Sequence, residues 1–297
     1  MTHFILLSLL VAVVSQTGGS AQGPRAALII VDVQTCFLSG GSLAVTDGDD
    51  VIPVINRIRQ QFGGLFSLVV LSQDWHCPTH VSFASSHPGK NVLDVVPLKY
   101  QSDGTLCLGG SISKTNFPNA TTCQGDRELD QVLWPVHCVQ DVTTGPTSSN
   151  LADSLDRASS DVIIRKGSYC EIDSYSLFFD NGGIKSTGLE HTFRAAGIDT
   201  VFVTGLALDY CVYYTSLDAR KLGFNTYTVL DASRGVADET VQTAKLDMSR
   251  NGVNLINSQD IDDVMDSLRR GTDAGSIKAA DVMGLFMTTL TAILLAR

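Results

Sequence analysis

The chain has 297 residues, 44% of them hydrophobic and 18% charged, a balance that fits a folded domain and excludes wholesale disorder or a fibrous repeat. Lys and Arg total 21 against 31 Asp and Glu, leaving a formal charge of −10. That sign excludes the basic surface a nucleic-acid partner would need.

The first segment, Phe4 to Val14, is an apolar run followed by the small and polar stretch Ser15 to Gly23. This order is that of a secretory signal peptide cut after Ser15 or Ala21, the alternative being an uncleaved N-terminal anchor. We expect residues 1–21 to be the signal and 22–274 the mature domain. Within that domain short β-branched runs alternate with amphipathic stretches, the pattern of a parallel sheet covered by helices in one α/β domain. Strands are expected at 27–33, 66–72, 162–165, 200–204, 226–230 and 253–256. Helices are expected at 51–62, 151–158, 187–196, 209–222, 239–251 and 258–269. Residues 100–130, rich in Ser, Thr, Gly and Asn, break the rhythm and read as a surface insertion. At the far end, Val282 to Ala296 is an apolar run of about 15 residues, short of the ~20 that span a bilayer. It follows the small cluster Asp273-Ala274-Gly275-Ser276 and a polar spacer. The arrangement is that of a glycosylphosphatidylinositol (GPI) signal, with Ala274 as the attachment site and 275–297 removed; a short tail-anchor or docking helix is the alternative. The domain would then sit on the extracellular face of the plasma membrane. In that compartment Asn119-Ala120-Thr121 becomes a glycosylation sequon. Seven cysteines fit an oxidising environment if one is kept for chemistry and six can pair. Cys107 and Cys123, which flank one polar loop, are the pair to expect.

Open parallel sheets bind ligands beyond the carboxyl ends of their strands, so residues at those ends carry the functional information. Asp32 closes the first expected strand, Lys166 follows the third and Cys211 comes just after the fourth, at a helix start. A cysteine there meets unpaired amides and the positive end of the helix dipole, which lowers its thiol pKa, and a nearby lysine would lower it further. An aspartate in reach could accept the thiol proton and return it to a leaving amine. Each residue also has a structural reading: Asp32 as a cap, Lys166 as a turn charge, Cys211 as a small hydrophobe or half of a disulfide. Their shared location favours chemistry. Asp74 and His76 follow the second strand two residues apart, able to point the same way and grip a divalent metal, with His137 as third ligand. Oxygen and imidazole donors together suit zinc, iron or manganese. His80 lies nearby as a supplementary ligand or supporting contact.

These residues stand in motifs that resemble the nicotinamidase branch of the isochorismatase-like cysteine hydrolases. The motifs are Ile30-Val31-Asp32-Val33-Gln34 with Phe37, Ser72-Gln73-Asp74-Trp75-His76 through Ser82-Phe83-Ala84, and Leu133-Trp134-Pro135-Val136-His137-Cys138-Val139. Arg165-Lys166-Gly167, Asp173-Ser174-Tyr175-Ser176 and Gly205-Leu206-Ala207-Leu208-Asp209-Tyr210-Cys211-Val212 complete the set. The resemblance implies a Rossmann-like three-layer fold with a six-stranded parallel sheet. It implies a Cys211, Asp32, Lys166 triad that converts nicotinamide to nicotinate and ammonia through a thioester. It also implies a metal, zinc foremost, held by Asp74, His76 and His137. The backbone amides of Ala207 and Cys211 would receive the oxyanion beside a cis Leu206-Ala207 peptide, and Phe37, Trp134 and Tyr175 would frame the ring. Members of the family are commonly cytosolic, so the secretion and anchoring signals depart from its pattern. Cys36, Cys77, Cys138 and Cys170 lie next to motif residues, where disulfides would brace the site or thiols stay reduced. Two other functions compete with the leading one. They are hydrolysis of a different small amide, and a catalytically idle surface protein that keeps the fold for binding.

Overall fold

The computed structural model describes residues 25–270. The expected signal peptide, Ala274 and the terminal apolar run lie outside them. Among the described residues no helix is long and apolar enough to cross a membrane.

The first strand, β1 (Ala26–Val31), is apolar at every position and wholly buried, as a strand covered on both faces must be. It pairs in parallel with β2 (Phe66–Asp74) on one side and β6 (Thr200–Leu206) on the other. Outward from β2 lies β5 (Val162–Lys166), and outward from β6 lie β7 (Asn225–Arg234) and β8 (Asn254–Ile256), all parallel. The six-stranded order is β5-β2-β1-β6-β7-β8, which reverses direction between β1 and β6 and opens a crevice there. Alternate residues of β1 feed two cores. Ala26, Leu28 and Ile30 pack with Ile52, Ile55 and Ile58 of α1 (Val51–Phe62) and with Ile261 and Val264 of α5 (Ile261–Arg269). Ala27, Ile29 and Val31 pack with Phe193 of α2 (Leu189–Ala195), Val212 of α3 (Cys211–Lys221) and Met248 of α4 (Asp238–Arg250). The three-layer expectation therefore holds.

Two expectations need correction. Residues 151–158 form no helix. Leu151 bridges to Gln34 and the Ala152 amide donates to Val33 O at 2.9 Å, so this segment prolongs β1 beyond its end and buries Leu151, Ala152 and Leu155 against the first core. The insertion is more than a surface loop. It springs from an antiparallel pair, β3 (Val95–Tyr100) and β4 (Arg127–Val132). It also has its own small core, in which Leu98, Tyr100, Leu106, Ile112, Phe117 and Ala120 are buried. The Cys107–Cys123 disulfide closes it, as expected from the sequence. Asn119 is exposed on its rim, where its side-chain amide donates to Glu171 at 2.8 Å.

Candidate active site

The carboxyl ends of β1, β2, β5 and β6 bring the expected residues to one point. Asp32 leaves β1 with a left-handed φ of 49° and is fully buried. Behind it β6 approaches so closely that a Cβ on Gly205 would stand 2.1 Å from Val31 O, so only glycine fits. Ser72 Oγ donates to Asp32 Oδ1 at 2.6 Å and accepts the Asp32 amide at 2.9 Å. Lys166, buried at the end of β5, places Nζ 2.9 Å from Asp32 Oδ2, 3.3 Å from Cys211 Sγ and 3.1 Å from Ser174 O. It also makes a close ion pair with Asp74 Oδ1. Its contact with Asp32 Oδ2 is not aligned as a hydrogen bond, so that oxygen keeps its capacity to take up a proton. Side-chain ligand atoms of Asp32, Asp74 and Cys211 all lie within 4.8 Å of one another.

The electrostatics follow from burial. Desolvation pushes the Asp32 carboxyl up to about 6, although Lys166 pulls it down and Ser72 helps. For Lys166 desolvation works the other way but is outweighed by Asp32 and Asp74, and the ammonium is held well above its ordinary value. Burial likewise drives the Cys211 thiol well above its usual range, with Lys166 offsetting only part. The sequence expectation was a lowered thiol pKa; the cost of a buried thiolate reverses it. Attack by Cys211 therefore needs a base, and Asp32, mostly ionised at neutrality yet able to hold a proton, fits that role.

Beside this group stand the expected metal ligands. Gln34 holds the end of β2: its Nε2 donates to Asp74 O at 3.0 Å and its Oε1 accepts the Asp74 amide at 2.8 Å. His76 Nδ1 lies 2.9 Å from Gly167 O, and His137 Nδ1 lies 2.8 Å from Pro135 O. A carbonyl can only accept, so both rings carry a proton on Nδ1 and, as neutral imidazoles, present the Nε2 lone pair. Those Nε2 atoms lie 3.4 and 3.8 Å from Asp74 Oδ2. Two imidazole nitrogens converging on one carboxylate oxygen form a donor set that fits a divalent cation, and carbonyls orienting the rings are the usual second layer of such a site. Gly167 is needed here too, because with φ at 63° a Cβ would lie 2.4 Å from His76 Cε1. His80 stacks on His76 with ring centroids 4.1 Å apart. Its Nδ1 contacts Ser82 Oγ at 2.8 Å, while its buried Nε2 has no partner. Cys138, close to Asp74 and His137, is tied up in a disulfide and offers no thiolate.

A narrow cleft opens over these groups, lined by Phe37, Trp134 and Tyr175 with Asp74, His76, His137, Ala207 and Cys211. Tyr175 Oη accepts from Trp134 Nε1 at 3.1 Å, which fixes two of the aromatic walls against each other. The Leu206-Ala207 peptide is cis, as expected. Ala207 O accepts the amides of Tyr210 and Val212. The Cys211 amide heads α3, where a helix offers no internal acceptor. Sequence reasoning missed Leu43, Val45, Asp173, Tyr210 and Val236, which also line the cleft. Tyr210 and Asp173 stood inside the motifs without a role, while nothing in the local sequence marks the three aliphatic residues. Of the six cysteines other than Cys211, Cys36 pairs with Cys138, Cys77 with Cys170 and Cys107 with Cys123; Cys211 is free.

Comparison with known proteins agrees with this geometry. The family model described as the isochorismatase domain matches residues 26–260. A nicotinamidase of Acinetobacter baylyi is 39% identical over 81% of this chain and 96% of its own length, and a nicotinamidase of Escherichia coli is 36% identical over 78% and 94%. Among solved structures, an Acinetobacter nicotinamidase/pyrazinamidase superposes with a TM-score of 0.66 at 38% identity, covering 81% of this chain and 99% of that one. The pyrazinamidase of Pyrococcus horikoshii, solved in complex with zinc, gives 0.57 at 28% identity over 79% and 99%. With the doubly wound sheet, the strand-end residues and these relatives in agreement, the chain belongs to the isochorismatase family, among its nicotinamidases.

Proposed function

We propose that the chain hydrolyses nicotinamide to nicotinate and ammonia with Cys211 as the nucleophile. The observation that carries this reading is the single buried ammonium of Lys166 in contact with Asp32, Cys211 and Asp74 at once, beside a cleft with aromatic walls. The relatives named as nicotinamidases support the choice of substrate. Asp32 takes the thiol proton, and Cys211 Sγ attacks the amide carbon and forms a C–S bond. The carbonyl electron pair moves onto oxygen, where the backbone N–H groups of Ala207 and Cys211 receive it. Collapse breaks the C–N bond, Asp32 hands its proton to the nitrogen, and ammonia leaves a thioester. Water then gives a proton to Asp32 and attacks the thioester. The C–S bond breaks, the sulfur recovers a proton, and nicotinate departs. Lys166 keeps Asp32 ionised at the start of each half-reaction. Phe37, Trp134 and Tyr175 hold the ring flat against the walls of the cleft.

Asp74 Oδ2, His76 Nε2 and His137 Nε2 would hold a divalent cation, zinc foremost with iron and manganese as the other candidates. Bound there, it would supply a Lewis-acidic position for the ring nitrogen of the substrate. The partnerless Nε2 of His80 is a spare donor beside this set.

The reading is tested by quantifying nicotinate and ammonia from the full chain and from Cys211→Ala. No turnover by the wild type, or undiminished turnover by Cys211→Ala with native circular dichroism, would sink it. Turnover that survives complete chelation would remove the cation from it.

An extracellular, GPI-anchored location with a glycan on Asn119 is part of the same proposal. Its support is chemical: three disulfides need an oxidising compartment. Release of cell-surface activity by a phosphatidylinositol-specific phospholipase is the expected result, and activity that stays with the membrane pellet refutes the anchor.

A further inference from the structure

Two disulfides sit where the cation ligands leave the sheet. His137 belongs to the segment 134–140, which contains no helix or strand of its own. Nothing in regular secondary structure holds its imidazole against Asp74. Its neighbour Cys138 is fully buried in the left-handed region, with φ 44°, and is bonded to Cys36 from 102 residues away. Cys36 is in turn the neighbour of Phe37, and the Phe37 ring lies 5.5 Å from that of His137. Cys138 O accepts the His76 amide at 3.0 Å, and the Gln140 amide donates to His76 O at 2.8 Å, so the bonded segment also carries the second histidine. The other disulfide begins at Cys77, next to His76, and ends at Cys170, on the turn that supplies Gly167 O to His76 Nδ1. Cys170 O accepts the Val81 amide at 2.8 Å, which fastens the loop carrying His80.

We infer that Cys36–Cys138 and Cys77–Cys170 are positioning groups for cation binding. They clamp His137, His76 and the ring contact Phe37 in register with Asp74, reinforcing the isolated backbone bridges that join His76 to Val139 and Phe83 to Trp134. Asp32, Lys166 and Cys211 do not depend on the clamps, because they stand at the ends of β1 and β5 and at the head of α3. The inference rests on the proposed cation site. It separates a reactive half fixed by strand ends and the head of α3 from a cation half in which β2 fixes Asp74 and sulfur–sulfur bonds brace the two histidines.

Zinc affinity of the metal-free full chain, measured by competition with a chromogenic chelator, tests this. Cys36→Ala with Cys138→Ala is expected to lower zinc affinity by roughly 10–100-fold, the range seen when supporting contacts of metal ligands are removed. At saturating zinc the same variant should show a raised KM for nicotinamide, because Phe37 is freed, with kcat nearly unchanged. Cys107→Ala with Cys123→Ala, which opens the disulfide of the distant insertion, should bind zinc as the wild type does. Wild-type zinc affinity in the folded Cys36/Cys138 variant overturns the inference. So does an equal loss in both variants, which would report stability rather than position. If the first variant does not fold, Cys77→Ala with Cys170→Ala, which opens the other clamp and leaves no new thiol beside Asp74 and His137, takes its place, and wild-type zinc affinity there overturns the inference. A wild type that binds zinc but leaves nicotinamide intact would sink the proposed activity and leave the clamps standing. One that binds no zinc would remove both the cation site and the clamps.

Discussion

Replacing Lys166 by methionine keeps an unbranched side chain one atom shorter and removes the buried cation that faces Asp32. At 2.9 Å and an effective dielectric of about 20, the lost attraction is on the order of 6 kcal/mol, or roughly 4 pK units, as an upper bound. Relaxation and entering water would recover part of it, so we take a rise of ~2–3 units. The direction is fixed: an ammonium favours the ionised carboxylate, so its loss raises the pKa of Asp32. In the wild type that value is already about 6, which leaves about nine-tenths of the base ionised at pH 7. In Lys166→Met the ionised fraction at pH 7 falls to roughly a tenth to a hundredth, and kcat/KM for nicotinate release should fall by about 10–100-fold. The decisive measurement is the pH profile of kcat/KM. The acid limb should lie near pH 6 in the wild type and move up by ~2–3 units in the variant, with activity partly recovered in alkali. A limb that stays near pH 6 in Lys166→Met refutes the argument, because Asp32 would then not be the base whose ionisation Lys166 supports.

Three further outcomes follow from the site. Ser72→Ala removes the 2.6 Å hydrogen bond to Asp32 and should move the acid limb up by about one unit with KM unaltered; an unmoved limb counts against that bond supporting the charged form. Gly167→Ala puts a Cβ 2.4 Å from the His76 ring and should cut zinc affinity by roughly 10–100-fold in chelator competition; wild-type affinity would show that His76 is not a ligand. Gly205→Ala drives a Cβ to 2.1 Å from Val31 O and should cost roughly 3 kcal/mol or more of stability; an unchanged denaturation midpoint would contradict the close approach of β1 and β6.

The strand-end residues were legible because buried parallel strands are apolar runs with polar ends: Asp32 directly follows Val31, Asp74 closes Ser72-Gln73-Asp74 after Leu71, and Lys166 closes Arg165-Lys166 after Ile164. The pair β3 and β4 was hidden. Its strands, VVPLKY and RELDQV, contain Pro97 and charges, and their alternation has meaning only against each other and the small core they cover. The segment 151–158 has helical composition, but its backbone is claimed by Gln34 and Val33 from far away in sequence, a contact that local propensity does not contain. The sign of the Cys211 shift was misread for a related reason. Helix position and a neighbouring lysine are visible in a sequence, whereas the depth of burial that outweighs them is not.

The excursion between β2 and β5 has its own core and its own disulfide. It supplies His137 and Trp134, while the base and the lysine stand at strand ends and the nucleophile at the head of α3. The molecule is thus divided into a part that breaks the bond and a part that chooses what is presented to it. A change in the excursion can alter the shape of the guest or the ion that receives it without disturbing the proton traffic below. Variation in the ion and in the Trp134 wall among chains built this way should therefore accumulate between residues 75 and 161, while Phe37 and Tyr175 contribute the remaining aromatic walls from outside it.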